Sequence, residues 1–273
     1  MRDRLRLSRM KVPGRRLGAG FWGLLALGLV SYAGLLLAQW PASHAWSMAQ
    51  RHLALPAELH VGPLEGTVWE GRATSISGAG IRADHLAWEL RPTSLLAGRA
   101  VVDVRAGLDD GHAEGTITAR TGEVAIDGLA GRLPARNLGP AASELSGEAV
   151  RLDGTITFAI ERLRASYPPA PELITLEGRA GWHEAAVTVD HRVELGGVTT
   201  TLASEGGAAT GMLDDTGGPL ALDGTWRLAP DGAYTMEALV DTRAGAASAL
   251  EQTLEMAGPR REEGIELRLE GRL

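Results

Sequence analysis

Residues 150–160 read VRLDGTITFAI, and apolar and polar side chains alternate along them. Val150, Leu152, Ile156, Phe158 and Ile160 share one parity, and the charged and hydroxyl side chains share the other. Because successive side chains of a strand point to opposite faces, this period of two predicts a strand with one apolar and one solvated face. Such a strand is typical of an antiparallel sheet.

The same alternation recurs in two other long segments and several short ones. Residues 220–228 read LALDGTWRL and residues 265–273 read IELRLEGRL. The shorter candidate strands are Leu86–Leu90, Val102–Val104, Val124–Ile126, Leu176–Trp182 and Val187–Val189. The predicted fold class is therefore mainly β: a curved, largely antiparallel sheet with few short helices.

Turn signals and glycines separate and interrupt these strands. Turns are predicted at Asp109–Gly111, Glu205–Gly207, Asp214–Pro219 and Pro230–Gly232. An apolar–acid–glycine step recurs at 64–66, 126–128, 152–154, 176–178, 222–224 and 269–271. Glycine within a strand marks a bulge, a bend or a close backbone approach, which lets a long sheet curl. The alternative is that such pairs are simply frequent in a glycine-rich acidic chain.

Helices are predicted in only two places outside the N-terminal region. Residues 45–55 form a candidate short helix before Pro56, and residues 244–257 form another before Gly258 and Pro259. The proline-rich segment 167–171 cannot lie inside a ladder, so we expect it to link two halves of the body.

The N-terminal region predicts a membrane anchor. Residues 17–38 are 22 residues without a charge, and they follow a tail with seven basic groups and one acid. A helix of this length spans roughly 33 Å, enough to cross a bilayer. Basic residues before the first span keep the N-terminus cytoplasmic. A cleaved signal peptide ending near Ser43–Ala45 is the alternative, although its apolar region is normally only about 7–15 residues long.

These features divide the chain into four parts. We expect a basic cytoplasmic tail at 1–16, a transmembrane helix at 17–40, a membrane-proximal linker with a short helix at 41–60, and a β-rich body at 61–273 beyond the membrane. The chain has a single N-terminal span in this interpretation.

Composition excludes several classes of chemistry and partner. Residues 1–40 carry a net charge of +6, so the remainder carries −13 of the total of −7, which argues against nucleic acid as a partner. The chain has no cysteine, which excludes disulfides and thiolate chemistry. Lys11 is the only lysine, which excludes a Schiff base or a Walker lysine in the body.

The candidate sites are weak. His183 and Glu184 begin like a zinc-protease motif, but the second histidine is missing. His183 and His191, near Asp190, are expected to be solvated strand residues. Residues 214–218 offer carboxylates for calcium, yet they lack the spacing of an EF-hand loop. The tryptophans at 69, 88, 182 and 226 line either a core or a ligand groove. We assign no catalytic, cofactor-binding or metal-ligating residue and predict no cofactor.

An ordered set of landmarks nevertheless resembles a known family. The set is Gly66-Thr67-Val68-Trp69-Glu70-Gly71, Leu86-x-Trp88-x-Leu90-x-Pro92 with Leu95-Leu96-x-Gly98, Gly181-Trp182 with Ala185, Leu213-x-Asp215-x-Gly217-Gly218-Pro219-Leu220-x-Leu222-x-Gly224, and Asp231-Gly232-x-Tyr234. With the N-terminal anchor before it, the series resembles the type II secretion system protein N (GspN) family over nearly the whole chain.

This resemblance implies a function and a location. It implies a non-enzymatic, single-pass accessory component of the cell inner membrane, with a periplasmic body, in the machine that exports folded proteins across the outer membrane. Its expected partners are other inner-membrane components of that machine, and the family brings no catalytic residues. The alternative is an AsmA-like envelope protein that binds or transfers lipid in a curved β-groove.

Overall fold

The alternating segments of the chain form strands of one large antiparallel sheet. The computed structural model describes residues 32, 36, 38–52, 60–78, 81–108, 110–166, 172–244, 246–257, 260–261 and 264–272. In chain order the elements are α1 (Ala42–His52), β1 (His60–Val61), β2 (Leu64–Gly66), β3 (Glu70–Ala73), β4 (Ile76–Gly78), β5 (Ile81–Ala83), β6 (His85–Leu90), α2 (Pro92–Leu95), β7 (Arg99–Leu108), β8 (Gly111–Arg120), β9 (Glu123–Pro134), the 3₁₀ helix η1 (Ala135–Leu138), α3 (Gly139–Ser146), β10 (Arg151–Ser166), β11 (Glu172–Thr188), β12 (Arg192–Glu205), β13 (Ala208–Gly217), β14 (Leu220–Leu228), β15 (Ala233–Thr242), α4 (Ser248–Ala257), β16 (Arg260–Arg261) and β17 (Gly264–Arg272).

The main sheet has 14 strands among the described residues, in the order β16-β17-β15-β14-β13-β12-β11-β10-β9-β8-β7-β6-β3-β2. From β6 to β15 each strand pairs with the next along the chain. Short connections favour this arrangement, because antiparallel neighbours need only a tight turn. A small second sheet contains β1, β4 and β5. The predicted fold class, mainly β with a large curved antiparallel sheet and few helices, is confirmed.

The long alternating segments lie where the sequence placed them. Residues 151–160 belong to β10, which begins one residue after Val150; 220–228 coincide with β14, and 265–272 belong to β17. Two predicted strands, 176–182 and 187–189, are parts of the single long strand β11. Four long strands had no candidate segment in the sequence: β8, β12, β13 and β15.

The acid–glycine steps have two different structural roles. Gly128 and Gly154 have positive φ angles of 63° and 100°, and both fall where the register with a neighbouring strand shifts. These two steps are bulges, as predicted. Gly224 and Gly271 instead lie in regular ladders, close to Ala238 and Tyr234 of the adjacent strand.

Both predicted helices form, but their bounds differ from those predicted. The predicted helix 244–257 begins at Ser248, because Arg243 and Ala246 form a turn with an Ala246 N–H to Arg243 C=O hydrogen bond. The helix predicted at 45–55 begins earlier, at Ala42, and its last described residue is His52.

The predicted membrane span at 17–40 lies largely outside the described residues. Within the ranges that the structure describes, no helix combines the length and the apolar character needed to cross a bilayer. The four-part division at 1–16, 17–40, 41–60 and 61–273 therefore stays a prediction. The linker segment 167–171 also lies outside the described residues, and the strands that flank it, β10 and β11, pair in one sheet.

Two hydrophobic clusters form the core of the described residues. In the first, Leu250 and Leu254 of α4 pack on β12, β14, β15 and β17, against Val193, Leu220, Ala238, Val240 and Ile265. In the second, Ala83 of β5 packs with Leu108 and Leu133 of the main sheet, next to Leu138 of η1. Both clusters lie near the border of the sheet at which β7, β9 and β15 end.

Candidate functional site

One face of the main sheet is mostly apolar. Directly opposed residues of antiparallel strands point to the same face, so the strand registers assign every side chain to one of the two faces. We call the first the apolar face; its larger side chains include Leu64, Leu86, Trp88, Leu90, Val102, Val104, Ile117, Ile126, Leu129, Leu133, Ile156, Phe158, Ile160, Leu163, Leu176, Trp182, Val198, Leu202, Leu213, Leu220, Leu222, Trp226, Leu228, Tyr234, Met236, Val240, Ile265, Leu267 and Leu269.

Only part of the apolar face is covered by the core clusters. Away from the border where α4 packs, a second set of its side chains belongs to neither cluster. We call this set the open strip: Ile117, Ile126, Ile160, Leu163, Leu202, Trp226, Leu228, Met236 and Leu269. All are half-buried except Leu269, which is 54% exposed. Large exposed apolar patches mark interaction sites, so the open strip is the candidate functional surface.

Aromatic rings on the apolar face lie across glycines of the neighbouring strand. The pairs are Trp88 with Gly71, Phe158 with Gly131, Trp226 with Gly211, and Tyr234 with Gly271. A Cβ atom on Gly211 would lie 2.5 Å from Trp226 Nε1, and one on Gly271 would lie 2.5 Å from Tyr234 Oη. These glycines give the rings room to lie along the sheet, an arrangement used to support glycine within strands.

Three of the four tryptophans contribute to the apolar face and form hydrogen bonds within the sheet. Trp88, Trp182 and Trp226 are half-buried on the apolar face. Their indole N–H groups donate hydrogen bonds to Val68 C=O (3.3 Å), Asp153 C=O (2.9 Å) and Thr200 Oγ1 (2.7 Å), respectively. Each ring therefore contributes apolar surface while its polar atom is satisfied within the sheet.

The opposite face, the polar face, carries cross-strand ion pairs. They include Arg72 with Glu65 at 2.6 Å, Arg162 with Glu177 at 2.9 Å, and Arg192 with Asp153. These side chains are largely exposed, so each pair contributes little to stability. Their main effect is to keep this face solvated and to distinguish it from the apolar face.

Asp103 is the most strongly bonded carboxylate of the polar face. It accepts a hydrogen bond from the Thr116 hydroxyl at 2.7 Å and a two-pronged pair from Arg91 at 2.8 and 2.9 Å. The Thr116 hydrogen bond, followed by those of Arg91, lowers the pKa of Asp103 below its ordinary value. All three hydrogen bonds stabilise the ionised form, so this carboxylate is a structural link between β7, β8 and the residue after β6.

The turn predicted at 214–219 is shorter in the structure, and Asp215 lies in a strand. Residues 214–217 belong to β13, and the turn is only Gly218–Pro219. Asp215 accepts hydrogen bonds from the N–H groups of Leu222 (3.1 Å) and Gly217 (3.0 Å) and from Arg243 Nη2 (2.7 Å). The Leu222 N–H above all lowers the pKa of Asp215, with burial opposing the shift. The carboxylate is thus occupied by protein donors rather than presented to a cation.

The histidine candidates lie apart from any ligand set. His183 is exposed on the polar face of β11, with Nε2 3.0 Å from Thr157 Oγ1, and Glu184 follows it at a bulge with a φ of 52°. His191 lies exposed in the bend before β12. In the part of the chain that the structure describes, no three His, Asp or Glu side chains are grouped so as to hold a metal ion.

Comparison with known protein families gives one match. The model of the type II secretion system (T2SS) protein N family matches residues 57–268, which contain nearly all of both sheets. The chain belongs to this family. Comparison with curated proteins and with solved structures found no match.

The residues that carry the family resemblance have structural roles in this T2SS protein N. Trp88 lies across Gly71, Tyr234 lies across Gly271, and Asp215 joins β13 to β14 and to Arg243. These residues connect neighbouring strands of the sheet. Sequence reasoning missed the Arg243 partner because it lies 28 residues away from Asp215.

Proposed function

We propose that this T2SS protein N is a non-enzymatic accessory component of the inner membrane that presents its β-sheet in the periplasm to other secretion components. The family match over residues 57–268 carries the proposal, because it associates nearly the whole sheet with the type II secretion machinery. The open strip is the contact surface, since it is an apolar area that neither core cluster includes and that lies away from the border covered by α4.

The membrane topology follows from the charges at the N-terminus. The +6 tail ahead of the uncharged run favours a cytoplasmic N-terminus and a periplasmic body. A reporter active only in the periplasm is expected to be active after Leu273 and inactive within residues 2–10. The opposite pattern would refute the proposed location. A mature protein that begins near Trp46 would keep the location and replace the anchor by a signal peptide.

Photo-cross-linking from the open strip tests the contact. With a photoreactive amino acid in place of Leu228 in the full-length protein, we expect adducts with other inner-membrane secretion components in cells that express the system. Met212 is the control, because it is 56% exposed on the polar face, away from the open strip. Equal adducts from both positions, or none from Leu228, would contradict the proposal.

Deleting the protein is expected to leave exported substrates partly in the periplasm.

The shape of the open strip favours lipid handling as a second candidate function. An apolar surface that continues across many strands matches an extended acyl chain as well as it matches a protein partner. Phospholipid that co-purifies in stoichiometric amounts, with lipid adducts and no secretion component captured at Leu228, would replace the assembly role by this one.

A further inference from the structure

Among the described residues, one backbone edge of the last long strand is largely unpaired. β17 pairs with β15 on one side from Ile265 to Arg272. On its other side, β16 reaches only Gly264 and Ile265. No described strand pairs with this outer edge along Leu267–Arg272. The edge thus offers a row of backbone N–H and C=O groups to an additional strand.

The opposite end of the sheet is built differently. Its edge strand β2 has three residues, the following Thr67 forms a bridge with Pro41, and α1 lies against β2. A short edge covered by a helix resists pairing with another chain. β17, in contrast, is paired with β15 without any register shift, so it is a regular template for a new strand.

The charges of β17 are complementary to a second copy of the same strand. Its polar-face residues are Glu266, Arg268, Glu270 and Arg272. An antiparallel copy centred on Leu269 places Arg272 of the second copy opposite Glu266, and Glu270 of the second copy opposite Arg268. Centring on Arg268 or Glu270 instead opposes like charges, which destabilises a strand pair. The register centred on Leu269 therefore places each of these four charges, including Arg272, which already lies 3.7 Å from Asp231, opposite an unlike charge of the second copy.

The apolar side chains also favour the register centred on Leu269. Leu269 lies at the end of the open strip and is 54% exposed. In the register centred on Leu269, this side chain meets its own copy, and the two apolar faces join on one side of the combined sheet. Arg268, whose side chain is 64% exposed, is 3.4 Å from Glu237 and remains accessible on the polar face.

We propose that β17 is a dimerisation edge that pairs antiparallel with β17 of a second copy of this protein, with the two-fold axis at Leu269. The pairing extends the open strip across both copies. Among the described strands of the main sheet, the other end strand, β2, is short and covered by α1, so pairing through β17 closes at two copies rather than growing into a fibre.

A single cysteine tests the pairing in the full-length, membrane-bound protein. The chain has no cysteine of its own, so Leu269→Cys introduces a unique thiol. Opposed residues of antiparallel strands have Cα atoms about 4.5–5.5 Å apart, within the range that a disulfide spans. Mild oxidation is expected to give at least tenfold more covalent dimer with Leu269→Cys than with Leu96→Cys, whose side chain is 91% exposed. Equal yields, or adducts with other proteins instead of a dimer, would overturn the proposal.

Charge exchange tests the register. In the Leu269→Cys background, an all-basic strand (Glu266→Arg with Glu270→Arg) and an all-acidic strand (Arg268→Glu with Arg272→Glu) are each expected to lose most of the covalent dimer. Co-expression of the two is expected to restore it as a mixed dimer, which also shows that both variants fold. If each variant alone gives as much dimer as the parent, or if co-expression restores none, the proposed register is wrong.

Discussion

Replacing Leu250 by alanine is expected to lower the free energy of unfolding by about 3–5 kcal/mol. Leu250 is 2% exposed and is the largest side chain of the described residues that is almost completely buried. It fixes α4 on the sheet against Val240 and Ile265. The sheet under it is paired on both sides, so it cannot collapse into the cavity that the substitution leaves. Chemical denaturation of the full-length protein, followed by tryptophan fluorescence, measures the change.

The matched control for this substitution is Leu96→Ala. Leu96 is 91% exposed, so its loss is expected to change the free energy of unfolding by less than about 0.5 kcal/mol. Alanine has a higher helix propensity than leucine, so a loss at Leu250 cannot be attributed to weaker helix formation. If Leu250→Ala is as stable as Leu96→Ala, α4 does not pack on the sheet as described.

The second large effect is expected at Asp215. Replacing it by alanine removes the acceptor of the Leu222 and Gly217 N–H groups and of Arg243, and we expect a loss of about 2–4 kcal/mol at neutral pH. The side chain of Asp215 is only 14% exposed, so water replaces these hydrogen bonds poorly. Asp214→Ala is the control, because Asp214 is exposed on the polar face of the same strand.

The loss at Asp215 is expected to depend on pH. Its pKa is lowered in the folded state, chiefly by the Leu222 N–H, so its contribution is present above the pKa of the unfolded chain and is lost as pH falls through the folded pKa. With an unfolded value of about 3.9, the difference between wild type and Asp215→Ala is expected to be constant above about pH 5 and to shrink below it. A difference that grows on acidification would contradict this assignment.

Strands with strict alternation could be read directly from the sequence. Residues 220–228 alternate leucine and tryptophan with charged or small side chains, and β14 has the predicted bounds. The sequence did not predict β12, because Gly196 and Gly197 interrupt its alternation and threonines occupy both faces along 199–201. In such a strand, pairing with its two neighbours decides the structure, not side-chain polarity.

The missed turn boundary has a similar cause. Asp214 and Asp215 precede two glycines and a proline, a composition typical of a turn. In the structure the ladder with β12 continues to Gly217, because Asp215 accepts hydrogen bonds from the Leu222 N–H of β14 and from Arg243. Tertiary hydrogen bonds thus extend a strand through residues that locally favour a turn.

The sequence by itself determined the class of the fold, the bounds of the most regular strands and which of their side chains share a face, because a period of two is a local property of the chain. It also carried the landmarks of the secretion family. Only the tertiary structure decided that α4 covers one border of the apolar face while the open strip stays half-exposed, and that β2 is shortened while β17 keeps an open edge. Coverage and edge position depend on which distant strands become neighbours, and alternation along one strand holds no information about that choice.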